Sequence, residues 1–201
     1  MTPSGELLST ILGMSESGLH RHARHEDIPV LIDSERIARR VSELASQLEQ
    51  DLRTMEGEVT LVPVMTGSML FVSDLIRQLK IPLRIEPVTV QSYPGNATHS
   101  RGARLQTPIP EVLRDTHVVI IDDILDSGGT LNMLRKLVGA VEPRSVRACV
   151  LLRKSVTRSH DVECEYSGFD IPDEFVVGYG LDYDGFHRNL PYIGSLKDMP
   201  K

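Results

Sequence analysis

Apolar residues along this chain recur at two periods, and the changes between them mark the elements. Residues 29–32 form a short apolar run, expected to be a strand. Asp33 or Ser34 can then cap a helix whose stripe is Ile37, Val41, Leu44, Ala45, Leu48 and Leu52. Residues 60–65, from Thr60 to Met65, form a second apolar strand-like run. Thr66-Gly67-Ser68 interrupts them before Met69, Val72, Leu75, Ile76 and Leu79 return at helical spacing. Residues 83–92 alternate and are rich in β-branched side chains, which predicts a third strand interrupted or entered at Pro87. Val118, Val119, Ile120 and Ile121 make a run of the kind covered on both faces in a parallel sheet. After Ser127-Gly128-Gly129-Thr130, the spacing of Leu131, Leu134, Leu137 and Val138 predicts a helix, and residues 146–152 predict one more strand. Strands alternating with helices imply an α/β domain with a mainly parallel sheet.

Three segments depart from that rhythm. Residues 1–27 show no sustained period and are expected to be a mobile extension, leaving residues 28–201 as one domain. Residues 93–110 carry three prolines and two glycines with almost no periodicity, a loop long enough to serve as a lid. From about residue 153 onward the pattern breaks into short strand-like pieces, Glu165 to Phe169 and Phe175 to Val177, expected to lie as a flap over the end of the sheet. Seven of the nine aromatics fall in this last stretch: Tyr166, Phe169, Phe175, Tyr179, Tyr183, Phe186 and Tyr192. Most are expected in the core, with some forming a ring-binding wall.

Composition adds mainly exclusions. The formal charge of −6 argues against broad nucleic-acid binding. No apolar run approaches the ~20 residues of a membrane helix, and the first residues lack the pattern of a signal peptide, so a cytoplasmic location is expected. Cys149 and Cys164 match no zinc or redox spacing and are expected to be reduced, buried thiols. His20, His22 and His25 have no carboxylate at ligand spacing and form at best a weak metal motif.

The chemistry concentrates between His117 and Thr130. Paired carboxylates, Asp122 and Asp123, follow the apolar run, and a third, Asp126, precedes the small-residue turn. Ligands in open α/β sheets bind beyond the carboxyl ends of the strands. A turn that opens a helix offers free N–H groups and a favourable dipole to an anion. The chain has no G-x-x-x-x-G-K-[ST], which excludes a P-loop nucleotidase, and a receiver domain lacks an anion turn directly after its acids. Carboxylates for vicinal hydroxyls followed by donors for a phosphate suit a ribose 5-phosphate.

Ile121-Asp122-Asp123-Ile124-Leu125-Asp126-Ser127-Gly128-Gly129-Thr130 resembles the signature of the hypoxanthine-guanine phosphoribosyltransferases. Val150-Leu151-Leu152-Arg153-Lys154, the segment from Gly168 through Tyr183, and Arg188-Asn189-Leu190-Pro191 are similar to that family's purine-binding and terminal segments, in its order and spacing. The likeness implies the type I phosphoribosyltransferase fold, a mainly parallel twisted sheet flanked by helices with a small C-terminal hood formed mainly by residues 153–201. It also implies Mg²⁺-dependent transfer of a phosphoribosyl group from phosphoribosyl diphosphate to hypoxanthine or guanine, giving IMP or GMP and pyrophosphate. By the same likeness Asp122 and Asp123 hold the ribose, and Asp126 is the catalytic proton acceptor and joins Ser127, Gly128, Gly129 and Thr130 around the 5′-phosphate. Thr66, Gly67, Ser68 and Arg188 receive pyrophosphate, while Lys154, Phe175, Val176 and Asp182 bind the purine. Asp182 ligates the metal with Asp122 and Asp123, Ser92 and Tyr93 begin the lid, and the chain forms a homodimer or homotetramer.

Two positions depart from the family pattern. Lysine is usual where this chain has Thr66, in a turn for which the resemblance implies a cis Met65–Thr66 peptide, so pyrophosphate is expected to rest on backbone N–H groups or on Arg101 or Arg104 of the lid. Many relatives carry glutamate in place of Asp122. The other readings that fit this pattern are a xanthine-preferring enzyme and a phosphoribosyltransferase-like protein that binds nucleic acid as a regulator, such as an RNA-binding attenuator. The acidic balance disfavours the regulator.

Overall fold

The computed structural model describes residues 24–91, 104–155 and 162–196. Its centre is a parallel array in the order β2 (Val59–Met65), β6 (His117–Leu125), β7 (Ser145–Lys154) and β8 (Tyr166–Ile171). The other edge of β2 is shared by β3 (Arg84–Ile85) and β4 (Val88–Gln91), both parallel to it, and β5 (Arg104–Leu105) closes antiparallel on β4. The strand expected over residues 83–92 is thus two strands, and the piece expected in the flap at Glu165 to Phe169 belongs instead to β8 of the parallel sheet. Glu86 N–H still donates to Leu61 O at 2.9 Å, but Pro87 has no N–H to continue the ladder, and pairing resumes at Val88.

Alternation along the strands divides the core into two layers. Leu61, Val119, Ile121, Cys149 and Leu151 face α1 (Ser34–Leu52) and α2 (Met69–Ile76), while Val62, Val118, Ile120, Ala148 and Val150 face α3 (Gly129–Gly139). The cap of α1 is the Asp33 carboxylate, which accepts from Arg36 N–H at 2.8 Å, and all six stripe residues of that helix are buried. Burying each of the five larger ones, all but Ala45, stabilises the fold by about 1.5–3 kcal/mol. Helix α2 ends three residues earlier than its apolar spacing suggests, in tight turns where Gln78 and Leu79 N–H groups donate to Leu75 and Ile76 carbonyls. On α3 the stripe is Leu131, Leu134 and Val138. Leu137 lies about 120° away from Leu131 around a 3.6-residue helix and is exposed.

A second, three-stranded antiparallel sheet has the order β1 (Val30–Ile32), β10 (Ile193–Ser195) and β9 (Val176–Val177). The first apolar run therefore does not open the parallel sheet, as its place before a helix suggests, but pairs with the far end of the chain. Ile28, Val177, Leu190 and Leu196 form a small core of their own there. Of the N-terminal residues expected to be mobile, Arg24 to Asp27 lie against this hood: Tyr192 Oη donates to His25 O at 2.8 Å, and the His25 and His187 rings are 5.5 Å apart. His20 and His22 lie outside the described residues. Cys149 is buried and Cys164 partly so, neither in a disulfide, and burial raises the Cys164 thiol to about 11.

Candidate active site

The acidic pair lies inside β6 rather than after it. Asp122 pairs with Val150 of β7, and the strand runs on to Leu125. Asp122 is buried and Asp123 half-buried. Asp122 Oδ1 accepts from Asp123 N–H at 3.0 Å, and Asp123 Oδ1 from Ile124 N–H at 2.8 Å. Burial, with the charge of Asp123 next in importance, pushes the Asp122 carboxyl well above its ordinary range. Burial also raises Asp123, opposed by hydrogen bonds and by the charge of Arg188. A fold that keeps two carboxylates in so poor a solvent favours a ligand that brings hydroxyl donors or a cation to them.

Beyond the pair, Asp126 and Ser127 are exposed and Gly128 turns the chain into α3 with φ +84°. A Cβ at Gly128 would lie 2.2 Å from Val162 Cγ2, so glycine is required there both by space and by backbone. No side chain caps this helix, which leaves its N-terminus open to an anion alongside Ser127, Gly129 and Thr130.

The turn after β2 forms the facing wall. Its Met65–Thr66 peptide is cis, and the Thr66 side chain is exposed. A Cβ at Gly67 would fall 1.8 Å from Asp123 Oδ2, so the carboxylate packs directly on the turn. Ser68 is buried, and its hydroxyl donates back to Val64 O at 2.7 Å, bracing the turn instead of facing outward. From the other side, a Cβ at Gly180 would meet Gly67 O at 2.2 Å, which brings the hood onto this turn backbone to backbone.

The hood supplies the remaining candidates. Lys154 Nζ lies 3.3 Å from Asp126 Oδ1 and 3.1 Å from Asp173 Oδ1. Phe175 is 51% exposed and meets Tyr183 edge-on, with centroids 5.4 Å apart. Val176 lies on β9, the edge strand of the small sheet, with its side chain buried. Asp182 Oδ1 pairs with Arg188 Nη2 at 2.7 Å, its Oδ2 accepts from Gly185 N–H at 2.7 Å, and Arg188 Nη1 donates to Gly180 O at 2.6 Å. Asp184 and Gly185, both at positive φ, close a two-residue hairpin that turns Phe186 outward. Tyr166 and Tyr179 are instead core residues whose hydroxyls donate to Asp51 at 2.6 Å and Asp74 at 2.5 Å.

The residues expected to touch ribose, phosphate, pyrophosphate and base therefore border one region at the carboxyl ends of β2, β6 and β7. Ser92, Tyr93 and Arg101 lie outside the described residues; Arg104 is exposed on β5. Asp122, Asp123 and Asp182 do not form a protein-only metal cage, since no cluster of three or more His, Cys, Asp or Glu suited to a metal ion occurs among the described residues. Sequence reasoning missed Asp173 and Gly180, which stand inside quoted motifs but whose contacts are with segments distant in the chain.

Residues 31–184 match the family model of the phosphoribosyl transferase domain. The chain is 38% identical over 169 residues to a hypoxanthine phosphoribosyltransferase of Salmonella typhimurium, covering 84% of this chain and 95% of that protein. It is 41% identical over 172 residues to a hypoxanthine-guanine phosphoribosyltransferase of Mycobacterium bovis, covering 83% and 85%. A crystal structure of a hypoxanthine phosphoribosyltransferase from Staphylococcus aureus resembles it with a TM-score of 0.78 at 39% identity, over 86% of this chain and 94% of that one.

Proposed function

This chain belongs to the phosphoribosyl transferase family, and we propose that it salvages purines by moving the phosphoribosyl group of phosphoribosyl diphosphate onto hypoxanthine or guanine. One observation carries the reading. Lys154, the cation suited to a 6-oxo group, lies 3.3 Å from Asp126, which joins the acidic strand end to the phosphate turn. Base recognition and phosphoribosyl recognition thus meet at one point.

In this reading a ring nitrogen of the base bonds to C1′, the C1′–O bond to pyrophosphate breaks with its electron pair leaving on pyrophosphate, and Asp126 takes the ring proton. Asp122 and Asp123 accept from the ribose hydroxyls, and residues 127–130 donate to the 5′-phosphate. Phe175 stacks on the base while the Val176 backbone meets its edge. Thr66, Gly67 and Arg188 receive the leaving group, with Ser68 holding their turn in shape. Positioning and charge stabilisation do most of the work, because positive charge builds on the ribose ring as the bond to pyrophosphate breaks.

Mg²⁺ suits this donor set, because it is commonly held by one or two carboxylates with substrate oxygens and water. Asp182, partly exposed where Asp122 is buried, would hold it, with Asp122 and Asp123 adding negative charge, and the ion would supply positive charge to the departing pyrophosphate. Among the described residues no helix is long and apolar enough to cross a membrane. We place the enzyme in the cytoplasm as a homodimer or homotetramer, which light scattering tests; a monomer contradicts the oligomer.

The test of function is nucleotide formation from phosphoribosyl diphosphate and Mg²⁺ with hypoxanthine, guanine, xanthine or adenine in turn. Hypoxanthine or guanine should give product and adenine none. Absence of product from every 6-oxopurine overturns the proposal.

A further inference from the structure

Lys154 closes β7 with only 13% of its side chain exposed, and an ammonium so placed is costly without a partner. Two carboxylates beside it are unlike in their support. Asp126 stands on the exposed loop after β6. Asp173 stands on the hood connection between β8 and β9, and that connection is tied down on both sides. Glu174 N–H donates to Pro172 O at 2.8 Å, Ser195 Oγ to Glu174 Oε2 at 2.7 Å, and Leu196 N–H to Phe175 O at 2.8 Å. Arg153, beside Lys154, is held by both oxygens of Asp170 at 2.6 and 3.2 Å.

Resting on the function proposed above, we propose that Asp173 is a positioning residue: a fixed counter-ion that lets Lys154 turn an N–H from Asp126 to the 6-oxo group of an arriving base. An ammonium has three N–H donors, so it can remain on Asp173 while it exchanges one carboxylate for a carbonyl oxygen. Binding of the correct base then releases Asp126 to accept the ring proton. A 6-amino base offers no acceptor at that place, and Asp126 stays paired. Base identity and the availability of the proton acceptor are linked through one lysine, and Asp173 keeps that lysine within reach of both.

A four-enzyme cycle tests this: wild type, Asp173→Asn, Lys154→Met and the double variant, each with hypoxanthine varied at saturating phosphoribosyl diphosphate and then with phosphoribosyl diphosphate varied at saturating hypoxanthine. Asp173→Asn should lower kcat/KM for hypoxanthine about tenfold, the loss expected of one charge-assisted hydrogen bond, with the KM for phosphoribosyl diphosphate unchanged. In the Lys154→Met background the same substitution should change kcat/KM less than about twofold, because the coupled partner is gone. Asp173→Glu, which keeps the carboxylate, should recover most of the loss and separates this role from a general loss of folding. Equal losses in both backgrounds, or a parallel rise in the KM for phosphoribosyl diphosphate, overturn the inference alone. A wild type inactive on every 6-oxopurine overturns it together with the proposed function.

Discussion

Replacing Asp122 with asparagine should make the protein more stable and a poorer enzyme. The amide matches the carboxylate in shape, and its Oδ1 can keep the 3.0 Å hydrogen bond from Asp123 N–H, so the change removes charge and little else. In the wild type, burial and then Asp123 raise the Asp122 carboxyl above its ordinary range. The folded chain therefore holds this proton more tightly than the unfolded chain, whose carboxylate titrates near pH ~3.9. With more protons bound when folded, stability is full below that pH and is lost as pH rises through the raised folded value. Asparagine has no such loss. Relief of an unfavourable polar group at a functional site commonly returns about 0.5–2 kcal/mol, and in a domain of this size each kcal/mol moves Tm by about 2–4 °C. Thermal unfolding of the ligand-free proteins from pH 4 to pH 9 should show a small Tm difference at pH 4 that widens to about 1–8 °C and then levels. Meanwhile kcat/KM for phosphoribosyl diphosphate should fall at least about tenfold, as one hydrogen bond to a charged acceptor weakens. A variant that melts below wild type at pH 8, or a difference that does not vary with pH, refutes the reasoning.

Other substitutions separate the walls of the site. Phe175→Ala should raise the KM for the base by about tenfold while leaving Tm within about 2 °C, because half the ring is already exposed; a fall in kcat with unchanged KM contradicts a stacking role. Thr66→Lys should lower the KM for phosphoribosyl diphosphate, since the side chain at this position is exposed and a lysine can be accommodated; an unchanged or higher KM shows that the turn grips pyrophosphate without it. Gly67→Ala places a methyl 1.8 Å from Asp123 Oδ2, so it should depress kcat/KM more than about a hundredfold, the loss typical of a misplaced reacting group; wild-type activity means that the carboxylate can move aside freely.

The longest parallel strands were legible, but β3 has only two residues, and β8, expected as a flap piece at Glu165 to Phe169, lies in the parallel sheet beside β7. Val118 through Ile121 and the stripe of α1 read correctly from the sequence, and the turn between β6 and α3 followed from where that helix begins. The hood was not legible in the same way. Its strands β1 and β9 have three and two residues, too few for a period, and β1 pairs with Gly194 more than 160 positions away. Asp173 was visible as one acid among Asp170, Asp173 and Glu174, yet these three reach different partners, Arg153, Lys154 and Ser195. Only the fold distinguishes them. Ser68 shows the opposite failure: a hydroxyl in a promising turn that folds back onto its own strand.

The position of the acidic pair within β6, and not in the loop after it, has a physical reason. Buried carboxylates raise the free energy of the fold, and a loop would yield to that cost by moving. Strand β6 cannot, because it is paired with β2 over five positions and with β7 over eight, including Asp122 itself. The ladders on both sides fix the two carboxylates where ribose hydroxyls would find them, so little reorganisation remains when the ligand arrives. As the proposed proton acceptor, Asp126 faces a different demand, because such a group must be able to exchange partners. It sits three residues farther on, at the exposed rim, where charge costs little and where Lys154 can engage or release it. In the proposed function, one strand and its exit thus divide the chemistry: a rigid, costly pair would hold the sugar, and an adjustable pair would answer to the base.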